Sequence, residues 1–169
     1  MAADPAAQVV TKLFLDICVP NMGRPAQVRE WAQAHQLVQI VSPAALGVFA
    51  GPGTNGAAWV IPSTQGSFAL SLRGTTQACA VWARSADPNE VLANFKTVME
   101  GIRRPGINVS MNKDETSPSP SGAAHMLVYS VGAPGTMSLF LFTLLTAEHP
   151  GGAFQASLQV AQASSQPGK

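Results

Sequence analysis

Ala78-Cys79-Ala80-Val81-Trp82-Ala83-Arg84 is the stretch whose reading decides the fold. With the two-residue period of an extended chain, Cys79, Val81 and Ala83 share one face and Ala80, Trp82 and Arg84 share the other. No charge precedes Arg84, and Gly74-Thr75-Thr76-Gln77 supplies a turn just before it, so the stretch reads as a buried strand. The chain has two cysteines, which leaves Cys79 one possible partner: Cys18, far upstream in an amphipathic segment. A disulfide is the favoured reading of the pair, with two separate buried thiols as the alternative.

Working outward, residues 57–61 and 67–73 are two further strands, separated by Ser63-Thr64-Gln65-Gly66. In the second of these Phe68, Leu70 and Leu72 alternate with Ala69, Ser71 and Arg73, and the short connections imply an antiparallel meander. Downstream, Asp87-Pro88-Asn89-Glu90 combines an N-cap, proline at the first helical position and glutamate at the third, which is a capping box. A helix over 88–102 follows, with Val91, Leu92, Phe95, Val98, Met99 and Ile102 as its apolar face.

Residues 107–112 alternate as a half-buried strand, whereas 113–122 (KDETSPSPSG) are polar, rich in serine and proline and without period. That segment is expected to be an exposed loop or hairpin tip. Three more strands are expected at 125–131, 137–146 and 154–161, followed by a tail over 162–169. The middle one is apolar on both sides (Leu139, Leu141 and Leu145 against Phe140, Phe142 and Leu144), so it is expected to be central and covered on both faces.

The N-terminal third is helical. Asp4-Pro5 repeats the cap-plus-proline start, and Val9, Val10, Leu13, Phe14, Ile17 and Cys18 recur at steps of three and four up to Pro20. A second helix is expected over 25–35 with Val28, Trp31 and Ala32 inward, and a short third over 43–49. The glycine-rich 50–56 then ends the helical part, residues 1–49. Clustered strands without strict β–α alternation define an α+β class. The expectation is one domain, 1–169, in which a largely antiparallel sheet of six to seven strands is packed by an N-terminal helical pair and one long central helix.

Composition narrows the function. Charged residues are 11% of the 169 against about 25% in average soluble domains. With a net charge of +1 and one adjacent basic pair, Arg103-Arg104, neither nucleic acid nor an anionic membrane surface is an expected partner. The longest strongly apolar run, 137–147, is far shorter than the roughly 20 residues of a spanning helix. Met1-Ala2-Ala3-Asp4-Pro5 lacks the features of a signal peptide but resembles what remains behind a cleaved one, which makes an exported protein the expectation.

Candidates for chemistry are sparse. No G-x-S-x-G, H-E-x-x-H, C-x-x-C or G-x-x-x-x-G-K-[ST] pattern occurs. His35, His125 and His149 stand far apart in the chain, and Asp114-Glu115 are adjacent rather than spaced on one helix face. No catalytic residue, metal ligand or cofactor is therefore expected.

Phe14-Leu15-Asp16-Ile17-Cys18-Val19-Pro20, the Val28-Arg29-Glu30-Trp31-Ala32 helix, Cys79-Ala80-Val81-Trp82-Ala83 with its following Asp87-Pro88 helix, and Phe154-Gln155-Ala156-Ser157-Leu158 together carry a resemblance. The chain resembles a group of small exported proteobacterial (lipo)proteins first labelled from a Neisseria meningitidis open reading frame. The resemblance implies a periplasmic or lipid-anchored setting and brings no catalytic residue with it. In that setting the expected role is a non-enzymatic protein-binding domain, most concretely an immunity protein that occludes the active site of an antibacterial secreted toxin. Asn55, Asp114 and Glu115, in the two polar loops, are the candidate contacts. The alternative is a carrier or sensor of a small apolar ligand, held between the sheet and the Asp87 helix.

Overall fold

The structure, a computed structural model, describes residues 4–53, 55–133 and 138–164. The N-terminal Met1-Ala2-Ala3 on which the processing argument rests lies outside them. Four α-helices and one eight-stranded sheet are described: α1 Pro5–Leu13, α2 Pro25–Ala34, β1 Val38–Gln39, α3 Pro43–Ala50, β2 Ala57–Ile61, β3 Phe68–Leu72, β4 Cys79–Ala83, α4 Pro88–Ile102, β5 Asn108–Ser119, β6 Gly122–Gly132, β7 Ser138–Ala147 and β8 Ala156–Ser164. The α+β class and the antiparallel sheet are as read from the sequence. The strand count rises to eight because the two-residue β1 pairs with β2 through Val38 and Val60, too short a segment to show a period.

Strand order is β1-β2-β3-β4-β8-β7-β6-β5, antiparallel throughout. Two four-stranded meanders thus meet through their last strands, β4 and β8, and α4 carries the chain from the centre of the sheet to its far edge.

Residues 113–119, expected in a loop or hairpin tip, are strand, and the hairpin tip is confined to Pro120-Ser121. Lys113 to Ser119 continue β5, each residue opposite a partner on β6 from Val128 to Gly122. The hairpin closes through Ser119-Pro120-Ser121-Gly122, with Gly122 at φ +88° and the Ser119 hydroxyl donating to the Gly122 carbonyl at 2.6 Å. The register shifts between Met111 and Lys113, so the alternation set by Ile107, Val109 and Met111 changes phase at Asn112. Because β5 is the sheet edge, Pro118 needs no ladder donor and polar side chains are tolerated on both faces. Those two facts together erase the period that marks a strand.

One sheet face carries the main core. Trp59, Leu70, Leu72, Val81, Leu158, Val160, Leu144, Phe142 and Leu127 point to it, and α1 and α4 cover it with Val10, Phe14, Val91, Phe95 and Met99. Phe14 meets Phe142 edge to face, with ring centroids 6.0 Å apart. After Leu13 the first helix widens into a π turn, Phe14–Cys18, in which the Val19 N–H reaches back five residues to the Phe14 carbonyl. Phe14, Ile17 and Cys18 are all buried there.

Cys18 is bridged to Cys79, with Cα atoms 5.4 Å apart, and both residues are buried. The helical N-terminus is thereby tied to β4, on the face chosen by the Cys79-Val81-Ala83 alternation.

All four α-helices start with proline, and two of them, α1 and α4, cap one another. Asp87 accepts from the N–H groups of Asn89 at 2.9 Å and Glu90 at 3.4 Å, as a capping box requires. Glu90, however, does not return to the Asp87 N–H. That N–H donates to the Asp4 carboxylate at 2.7 Å, while the Asp4 N–H donates to Glu90 at 2.8 Å. Asp4 also accepts from the Ala6 N–H at 3.3 Å, so one carboxylate serves the first turns of both α1 and α4.

Two stability predictions follow from these contacts. Replacing both cysteines by alanine should remove about 4 kcal/mol in urea unfolding, the entropy of a cross-link across a separation of 61 residues; a loss under about 1 kcal/mol would mean that it adds little. Asp4→Ala and Asp87→Ala should each cost about 1 kcal/mol and couple by at least about 0.5 kcal/mol in a double-mutant cycle, whereas independent caps would be additive.

Candidate functional site

The expected contact residues do not form one patch. Asn55 precedes β2, while Asp114 and Glu115 lie on β5, six strand spacings or roughly 29 Å across the sheet. The Asn55 carbonyl accepts from the Arg29 guanidinium and from the Gln77 amide, the latter at 3.2 Å, which fastens the glycine-rich loop to α2 and to the β3–β4 turn. Asp114 projects toward the α4 side of the sheet, 2.6 Å from His125 Nε2. Glu115 projects to the opposite side, with Lys113 at 3.8 Å.

The three histidines remain separate. His35 stacks on Trp31 at 3.8 Å between ring centroids, His125 faces Asp114, and His149 lies 3.9 Å from Glu148. Among the described residues no three His, Cys, Asp or Glu side chains group as a metal site would require. The space between α4 and the sheet, where an apolar ligand was expected, is an open cleft of ≈510 Å³ with Asp87, Asn89, His125, Thr146 and Glu148 among its walls. Pro88, Leu92 and Ala123 complete its lining, so polar and apolar groups share the walls.

The apolar features with functional potential lie on the opposite face. Register places Met126 and Val128 of β6 and Leu139, Leu141 and Leu145 of β7 there, beside Ala161 and Ala163 of β8. All are half-buried, and none belongs to either of the two packed apolar clusters. The expected cover over both sides of β7 is therefore present on one side only: Phe142 and Leu144 are buried under the helices, while the leucines at odd-numbered positions meet no packed layer among the described residues. The two-sided apolarity of 137–146 was the visible signal for this surface, and it is equally the signal of a fully covered strand.

On the other half of the same face, α3 lies over β2 and β3 and brings Phe49 to Trp82. Trp82 is held edge to face by Phe49 at 5.3 Å and by Phe154 at 4.5 Å, and its indole N–H donates to the Ser71 hydroxyl at 2.9 Å. Beside it is a hollow of ≈340 Å³ bounded by Ile40, Phe49, Val60, Ala69, Trp82 and Arg84 together with Ser67-Phe68 and Gly152-Ala153. The alternation of 78–84 had placed Trp82 and Arg84 on one side; the aromatic partners that shape the hollow come from α3 and the β7–β8 connection and have no sequence signal linking them to it.

Comparison with models of known protein families and with curated proteins returns no match. The fold and these surfaces define an α+β domain with one helix-covered face and one partly bare, apolar face.

Ser71→Ala should cost about 1–3 kcal/mol in chemical denaturation, because the indole N–H of buried Trp82 loses its acceptor. A neutral Ser71→Ala would show that this bond does not hold the ring.

Proposed function

We propose that this protein is an exported, non-enzymatic protein-binding domain, and that the bare apolar half-sheet is its binding surface. The observation that carries the reading is the row Met126, Val128, Leu139, Leu141 and Leu145, half-buried yet packed into neither apolar cluster. Contiguous apolar surface with a polar border is the usual mark of a protein contact. Here the border is the polar edge strand β5, with Lys113, Glu115 and Ser117 on the same side. A bridged cysteine pair supports an oxidising compartment, the bacterial periplasm being the one implied by the family resemblance.

Within that class the reading is an immunity protein whose partner is an antibacterial secreted toxin, covered at its active site by this face. Inhibitors of this kind need a rigid surface and a few anchors rather than chemistry. A sheet fixed by a central cross-link and by helices on its back supplies the rigidity. Leu141 and Val128 are the central anchors, Glu115 belongs to the rim, and Asn55 falls outside the surface.

Mixed with a cognate secreted antibacterial toxin, sought first among the products of neighbouring genes, the purified protein should elute as a stoichiometric complex and suppress the toxin's activity. Leu141→Asp, with its melting temperature within a few degrees of wild type, should weaken that complex by about 100-fold, while Glu115→Ala should change it by less than about fivefold. Absence of a complex, or full affinity in the Leu141→Asp variant, would overturn the assignment.

A further inference from the structure

We infer that the hollow beside Trp82 is a binding site for a small carboxylate with an apolar body, such as an aryl or medium-chain alkyl carboxylate. At ≈340 Å³ it lies at the small end of the roughly 300–1,000 Å³ range of ligand pockets. Its walls are aromatic and aliphatic, and its floor is small because Ala69 lies where a larger strand residue would fill the space. Exposed Val60, paired across the ladder with exposed Val38, extends the apolar lining toward solvent.

The polar chemistry of the hollow is set by what is already used. The Trp82 N–H is committed to Ser71, so the indole offers a ligand only ring surface. The Arg84 backbone N–H donates to the Ser67 carbonyl, but its guanidinium has no hydrogen-bond or ion-pair partner among the described residues. No Asp or Glu lines the hollow to neutralise it. A mostly apolar chamber with one unpaired guanidinium, and Ser67 as its uncharged polar residue, complements a single negative charge on an apolar body. The planar fork of arginine matches a carboxylate, and with no second cation in the lining a dianionic phosphate would be under-neutralised.

This site occupies the β1–β4 half of the face, apart from the β5–β8 half assigned to the protein contact, and it stands independently of that assignment. Octanoate and 3-phenylpropionate, titrated calorimetrically into the intact protein, should bind, and each should bind roughly tenfold or more tightly than its neutral amide. Arg84→Gln changes an exposed side chain with no partner to lose, so the variant should fold normally and bring acid and amide to about equal affinity. Ala153→Phe, at an exposed position on the hollow's wall, should abolish binding of both. Neither acid binding with a Kd below about 1 mM, or an unchanged preference for the acid in Arg84→Gln, would overturn the site.

Discussion

The ladder between β4 and β8 holds the molecule together. Five residues of each strand pair there, from Cys79 opposite Val160 to Ala83 opposite Ala156, and each of the two four-stranded meanders connects to the other only at this seam of the sheet. The pairing is far from local in sequence, so forming it closes a long loop before the contacts that compensate are in place. The Cys18–Cys79 bridge acts at the same point, because it ties the end of the first helix to the first residue of β4. Phe14 and Ile17, delivered by the π turn, are buried in the same core as Phe142 and Leu158, so the N-terminal helix closes over both sides of the seam.

Coverage of the sheet then determines where function can sit. Helices α1 and α4 occupy one face, are fastened to each other through the shared Asp4 carboxylate and bury most of that face's apolar side chains. Among the described residues the one helix on the opposite face is α3, eight residues long, lying over β2 and β3. Two consequences share that cause. Beyond the reach of α3, Leu139, Leu141 and Leu145 of β7 remain partly exposed, and at its margin the small residue Ala69 leaves a chamber between Trp82 and the strand edge. A protein contact and a small-molecule site on one side of a sheet are what a single short covering helix leaves behind.

How much of this was legible can be judged strand by strand. The helix over 88–102 matched because its start is written in four consecutive residues and its face in a 3.6-residue period, both local quantities. Strands 57–61, 67–73 and 78–84 were readable for the same reason, bounded by turn residues and alternating within themselves. Residues 113–119 were not, since an edge strand with a bulge loses both its polarity pattern and its phase. Nor was the role of Asp114, which faces His125 only because the hairpin folds the strand back upon itself.

The sequence by itself determined the helix starts, the strand periods, the face on which Cys79 lies and the identity of its one possible partner, because each depends on neighbours within a few residues or on a count of two. Only the tertiary structure decided that β4 pairs with β8, that Glu90 caps against Asp4 instead of Asp87, that among the described residues no packed layer covers one side of β7 and that Phe49 and Phe154 enclose Trp82. Those outcomes depend on which distant surfaces bury each other best, and an apolar residue looks the same in the chain whether or not another element arrives to cover it.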